Sequence, residues 1–260
     1  MTDEATLLFE QVERDVVRLT FNRPPANAFD SGVLRHLLQT LRDLRATARP
    51  PAIVMRGQGD GFFSAGGDIK EIEREGPQAA LSRMTIFHAV LCELENYPAP
   101  TIAGVRGFAV GGAFEFVLFA DFAIADSGAK FGFPEINHGL LPAAKGIRQA
   151  TALLGPRMAR SLLYSGHLID AERAMTAGAI DEIVDITQVD ARAVAIAREL
   201  RAKDPLLFSA LKRSVAKTNS LSDDDLARMA LDDMRAYLGR AETAEARDRF
   251  LKRKDREELE

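Results

Sequence analysis

Short apolar runs bounded by glycine and proline alternate with stretches of helical period along this chain, and that alternation constrains its fold more than any other feature. Leu7 to Val12 and Val16 to Phe21 read as two strands joined by the polar turn Glu13-Arg14-Asp15. Asn22-Arg23-Pro24-Pro25 stops the pairing, because proline cannot donate to a sheet ladder. Asp30-Ser31 opens a helix with Leu34, Leu37, Leu38, Leu41 and Leu44 at helical spacing, which ends before Pro50-Pro51. Ala52 to Arg56 is a strand leading into the turn-rich Gly57-Gln58-Gly59-Asp60-Gly61. A further helix is predicted over Pro77 to Asn96, with Thr101 to Val105 as the next buried strand. Strands alternating with helices imply an α/β fold with largely parallel pairing.

From about Asp190 the pattern turns helical and richly charged. Asp204-Pro205 and Ser222-Asp223-Asp224-Asp225 mark helix starts. No independent core is legible there, so the expected division is a core over residues 1–195 and a helical C-terminal region over 196–260. The hydrophobic fraction of 47% and the 15 Phe supply a sizeable core. A net charge of −4 disfavours nucleic acid as the main ligand. Cys92, the single cysteine, leaves no internal disulfide and points to a reducing compartment. Met1-Thr2-Asp3-Glu4-Ala5 lacks the apolar core of a leader, and Glu257-Glu258-Leu259-Glu260 is not a peroxisomal ending. The most apolar run, Ala109 to Ala125, carries Glu115 and Asp121 and is short for a bilayer. The expected location is the cytoplasm, away from membranes.

Three segments carry candidate chemistry. In Phe62-Phe63-Ser64-Ala65-Gly66-Gly67-Asp68-Ile69-Lys70 two glycines precede a helix, which makes either an ordinary turn or a backbone amide offered to a carbonyl oxygen that becomes negative during reaction. Glu115 lies among apolar residues at nearly every helical neighbour position, three residues beyond Gly112. Unpaired buried carboxylates are costly, so Glu115 either has a structural partner or faces a cleft, where burial raises its pKa into the range useful for proton transfer. Glu135 follows Pro134 in a turn between apolar groups; it reads as a surface or capping residue, or as a second carboxylate dividing acid and base roles with the first. The histidines at 36, 88, 138 and 167 lack metal-ligand spacing, and His138 reads as a turn or core residue.

Taken together these pieces resemble the crotonase (enoyl-CoA hydratase/isomerase) family. The likeness rests on Asn22-Arg23-Pro24 with Asn27-Ala28, Phe63 to Lys70, Gly107 to Asp121, Phe131 to Gly139, Leu163-Tyr164-Ser165-Gly166 with Ala171 and Ala174, Ala177-Gly178, and Ala210-Leu211-Lys212. It implies a crotonase-like spiral of ββα units with a helical C-terminal trimerisation region, assembled as a homotrimer or dimer of trimers. It implies an acyl-CoA thioester substrate, no cofactor beyond the coenzyme A that the substrate carries, and no metal. The oxyanion hole maps to the amides of Gly67 and Gly112, and the hydratase glutamates to Glu115 and Glu135. Substrate contacts map to Arg23, Ala28, Ala65, Gly66, Asp68, Ile69, Lys70, Gly111, Phe133 and Ala143, with Lys70 and Arg23 as candidates for CoA phosphates or else plain solvated cations.

The chain departs from the hydratase pattern past Glu135. Pro142-Ala143-Ala144-Lys145-Gly146-Ile147-Arg148-Gln149 stands for a glycine-rich stretch, Ala143 replaces a glycine that helps place the water, and Phe133 replaces a frequent Gln. Lys145 is expected at the surface, with a place near the acyl pocket as the alternative. Hydration of a 2-enoyl-CoA is the expected reaction. Isomerisation of a 3-enoyl-CoA through Glu135, another lyase or hydrolase reaction of the family, and a non-catalytic CoA- or RNA-binding role are the alternatives.

Overall fold

The computed structural model describes residues 6–218 and 220–257, so Met1 to Ala5 and Glu258 to Glu260 lie outside the described residues. The chain separates into two compact units, Met1–Arg201 and Ala202–Glu260. The first begins with the antiparallel pair β1 (Leu7–Glu13) and β2 (Val16–Phe21). α1 (Ser31–Arg45) follows, capped by Asp30, whose carboxylate accepts the Val33 amide at 2.8 Å. Its apolar stripe, Val33, Leu34, Leu37 and Leu41, is buried.

A repeat of strand, strand and helix then takes over. β3 (Ala52–Gly57) and β4 (Phe62–Ser64) precede α2 (Ile69–Glu95); β5 (Thr101–Val105) and β6 (Phe108–Val110) precede α3 (Gly112–Phe119). β7 (Phe122–Asp126) and β8 (Lys130–Gly132) precede a 3-10 turn at Pro134–His138 and α4 (Ala144–Ser165). β9 (Leu168–Asp170), α5 (Ala171–Thr176), β10 (Glu182–Val184) and α6 (Val189–Arg201) complete the unit. In each repeat the first strand enters a six-stranded sheet, ordered β1-β2-β3-β5-β7-β10, and the second a four-stranded sheet, ordered β4-β6-β8-β9. All pairs are parallel except β1 with β2 and β8 with β9. The chain therefore winds as a spiral of ββα units.

Both faces of the larger sheet are covered, as parallel pairing requires. Ile53 and Met55 of β3 enter the main core, while Ala52 and Val54 alternate to the opposite face against Ala193, Ile196 and Ala197 of α6. Because α6 seals that face, the unit runs to Arg201, and the expected boundary at 195 cuts through a helix. α2 also starts earlier than expected, at Ile69 rather than Pro77. Asp68 caps it, Gly76 breaks it at φ 79°, and Pro77 restarts it. The first stretch is too short and too charged to show an apolar period.

The second unit holds α7 (Pro205–Lys217), α8 (Asp223–Leu238) and α9 (Ala241–Glu257). Asp204 and Ser222 cap the first two, at the expected positions. Ala210 and Thr243 are its buried residues among those described, in keeping with the absence of a core legible in the sequence. No helix among the described residues is long and apolar enough to cross a membrane.

Candidate active site

Two glycine turns meet at the C-terminal ends of β4 and β6. In the first, the Phe29 amide donates to the Gly66 carbonyl at 2.7 Å and the Asp68 amide to the Phe29 carbonyl at 3.0 Å, which clamps the turn from both sides. Gly66 has φ 79°, and a Cβ there would stand 2.6 Å from the Val110 carbonyl oxygen and 3.0 Å from the Gly112 amide nitrogen. The close approach of the two turns therefore depends on glycine. Among the described residues neither the Gly67 nor the Gly112 amide donates to a protein acceptor; Gly112 is the first residue of α3, whose opening amides have no partner within the helix.

Glu115 sits one turn into α3 and is only 1% exposed. Its Oε1 accepts the Ala143 amide at 3.1 Å, and its Oε2 has no protein partner among the described residues. Burial pushes its pKa up to about 8, with the Ala143 amide opposing and the charge of Glu135 reinforcing the shift. Glu135 projects from the 3-10 turn over the other glycine turn: a Cβ on Gly111 would stand 2.8 Å from its Oε1. Its Oε2 is buried without a partner among the described residues, and burial raises its pKa to about 7 against the opposing pull of its own backbone amide. Among the described residues neither carboxylate pairs with a cation. Of the two readings open for Glu115, the cleft is the one realised.

Both glutamates line a cavity of about 400 Å³ together with Ala65, Gly67, Gly111, Gly112 and Ala143. Phe29, Leu34, Ile69, Ile72, Leu81, Met84 and Phe87 form one apolar wall, and Leu140, Leu141 and Pro142 the other. His138 is a turn residue, the first of its two expected places: it ends the 3-10 turn, exposed, and lines the cavity.

Several expected contacts lie elsewhere. Phe133 is 1% exposed and packs against Phe114 at 5.0 Å between ring centroids, outside the cavity lining. Arg23 is held by Asp30 at 3.0 Å and Asp68 at 2.6 Å, and Ala28 turns its carbonyl to the same guanidinium at 3.5 Å. Asp68 is a cap, accepting the Lys70 amide at 2.9 Å; burial opposes its ionisation, but hydrogen bonding and charge from Arg23 outweigh it and lower the pKa. Lys70 is exposed and off the lining, and Gly66 shapes the turn without facing the cavity. Lys145 is not at the surface: its side chain is 8% exposed, and its ammonium pairs with Glu95 at 2.6 Å and lies 5.2 Å from the centre of the Phe119 ring.

The structure adds two residues that the sequence did not single out. Gly146, in the first turn of α4, lies so close to Glu115 that a Cβ would overlap the carboxylate and stand 2.6 Å from its Cγ. Its only sequence signal is a small residue in a helix start. Arg83 enters the cavity from α2, and on an amphipathic helix an arginine reads as solvated by default.

Residues 11–257 match the family described as enoyl-CoA hydratase/isomerase. A probable enoyl-CoA hydratase of Mycobacterium tuberculosis is 31% identical over 204 residues, 78% of each chain. A carnitinyl-CoA dehydratase of Escherichia coli is 30% identical over 214 residues, 82% of this chain and 81% of the relative. The crystal structure of an enoyl-CoA hydratase from Bacillus anthracis has the same fold, with a TM-score of 0.90, 23% identity, and coverage of 96% of this chain and 97% of the other. With its ββα spiral, its paired glycine turns and a match over nearly its whole length, the chain belongs to the enoyl-CoA hydratase/isomerase family, within the crotonase superfamily.

Proposed function

We propose that this enzyme adds water across the C2=C3 bond of a 2-enoyl-CoA thioester. The observation that carries the reading is the convergence of Glu115 and Glu135, both with raised pKa values, on a cavity shared with the Gly67 and Gly112 amides. The thioester oxygen lies between those amides, which stabilise the negative charge it gains during attack; one such donor is worth about 3–4 kcal/mol of barrier. Glu115 accepts a proton from the attacking water at C3, and Glu135 delivers one to C2. Burial makes Glu115 the weaker acid of the two, the reverse of that division. A water between them lets the proton change hands, and the titration belongs to the pair rather than to either residue. Among the described residues Glu115 takes a single hydrogen bond, from the Ala143 amide, and no cation, so a second proton-carrying carboxylate stands at the cavity, which favours hydration over an isomerisation needing Glu135 alone.

The relatives named as an enoyl-CoA hydratase and a carnitinyl-CoA dehydratase both carry names that concern water and a CoA thioester. The reaction calls for no cofactor beyond the CoA of the substrate. Assembly as a trimer or dimer of trimers through the helical unit belongs to the same proposal, supported by exposed Leu211, Val215 and Leu231. Loss of enone absorbance on a panel of 2-enoyl-CoAs tests the reaction. Glu115→Gln and Glu135→Gln should each lower turnover by about 10²–10⁴-fold with the fold intact, and near-full activity in either variant would overturn the assignment.

A further inference from the structure

We propose that Arg83 is a specificity-determining residue of this cavity and selects a short acyl group that carries a second carboxylate; the inference rests on the CoA-thioester reading above. Arg83 places a permanent cation in a wall otherwise built from Ile69, Ile72, Leu81, Met84 and Phe87. Its side chain is 12% exposed and fixed at one end. Nη1 donates to the Asp68 carbonyl at 2.5 Å and to Glu71 Oε2 at 3.3 Å. The Glu71 carboxylate is itself buried and held by the Ser31 amide at 3.0 and 3.2 Å.

These anchors use one nitrogen. No acceptor among the described residues meets the Nε–Nη2 edge, and that edge is a side on which a guanidinium takes a carboxylate through two parallel hydrogen bonds. Nη2 lies 3.2 Å from where a Cβ on Gly67 would be, so the glycine that offers its amide also leaves room for the guanidinium. An acceptor held by the Gly67 amide sits about 2.9 Å from its nitrogen. The group on Arg83 is therefore only a few bonds from the thioester carbonyl, and the acyl chain is short. A residue serving only to pin α2 across its kink would need Nη1 alone. Neither Nε nor Nη2 is among the described polar atoms that are buried without a partner, so the edge stays reachable and a ligand carboxylate can replace water on it.

Binding of non-reacting thioesters tests this independently of turnover. Calorimetry on the full chain compares glutaryl-CoA, which ends in a second carboxylate, with butyryl-CoA, which does not. The wild type should bind glutaryl-CoA about ten- to a hundredfold more tightly, the range of a charge-assisted pair. In Arg83→Met the ratio should fall to near one, and Arg83→Lys, which keeps the charge but loses the fork, should give an intermediate ratio. Equal affinities in the wild type, or a preference that survives in Arg83→Met, would overturn the proposal, and the wild-type ratio needs no variant to fold. Hydration of glutaconyl-CoA and crotonyl-CoA is measured alongside. If neither thioester is hydrated while the binding ratio holds, the hydratase reading fails and the Arg83 assignment stands.

Discussion

Gly146→Ala is the substitution on which helix propensity and the site disagree most sharply. Alanine in place of glycine inside a helix should stabilise by about 1 kcal/mol. At this position the new methyl overlaps the Glu115 carboxylate and lies 2.6 Å from Cγ, where ordinary contact begins at 3.4 Å. The carboxylate must retreat by most of an ångström or more, and α4 cannot yield in its place. Gly146 is three residues along from Ala143, whose amide holds Glu115 Oε1 at 3.1 Å, so moving the helix start breaks the same bond. Overpacking of this kind costs about 1–3 kcal/mol, which cancels or exceeds the propensity gain. Misplacing a catalytic group by about 1 Å lowers turnover on the order of a hundredfold. Steady-state hydration and the thermal midpoint are measured for Gly146→Ala alone and in a Glu115→Ala background. With Glu115 shortened, the same change should raise the midpoint by the full propensity gain and leave the residual turnover where it was. Gly146→Ala with more than half of wild-type turnover would refute the claim that this glycine seats the carboxylate.

Three further outcomes follow from the burial of charge. Both glutamates titrate above their ordinary value of 4.5, so the folded chain keeps protons that the unfolded chain releases from about that pH upward; their contribution to stability is greatest below it and shrinks as pH climbs towards about 7 and 8. Glu115→Gln should therefore gain stability over the wild type on the order of 5 kcal/mol at pH 9 and little at pH 4, and equal denaturation midpoints at both pH values would count against a buried ionised Glu115. Turnover should peak where the pair holds one proton, between about pH 7 and 8, and fall on either side; Glu135→Gln should lose one limb of that profile, and an unchanged bell would exclude Glu135 from it. Glu95→Gln strands the Lys145 ammonium over Phe119 and should cost about 3–5 kcal/mol, whereas Lys145→Met leaves Glu95 with Arg148 at 3.1 Å and should cost less; chemical denaturation showing the opposite order would mean the pair is not buried as described.

What was legible in the sequence, and what was not, divides along physical lines. Where alternation or a cap stands beside a proline or a polar turn the element announces itself, because these are local signals: β5 and the start of α1 fall where expected, whereas β7, α5 and the Asp68-capped start of α2 escape that reading. The three-residue strands β4, β6 and β8 are too short to carry a period, yet they bring the two glycine turns together. Glu115 was conspicuous because a carboxylate inside an apolar run must be explained. Phe133 entered the substrate contacts through the family resemblance alone, and its ring lies packed against Phe114, off the cavity lining. Lys145 misled for another reason: a lysine reads as solvated until a partner such as Glu95 is seen beside it.

The same contrast bears on where this enzyme keeps its selectivity. The Gly67 and Gly112 amides and Glu115 sit at strand ends and in the first turn of α3, with Glu135 in the 3-10 turn after β8, and the glycine turns are fixed from below through the Phe29 clamp and the contact of Gly66 with Gly112. One wall of the cavity comes largely from α2, a helix that breaks at Gly76, restarts at Pro77 and carries Ile72, Leu81, Arg83, Met84 and Phe87 to the cavity. A helix of that kind accepts substitutions on its cavity face without disturbing the sheets beneath it, since its own period demands only one apolar stripe. Substitutions at Arg83 should therefore change which thioester is bound far more than how the glutamates act on it. In kinetic terms, a variant such as Arg83→Lys should alter KM for a carboxylated substrate with kcat changing much less, and an equal fall of kcat at saturation would place Arg83 among the groups that act in the transition state instead.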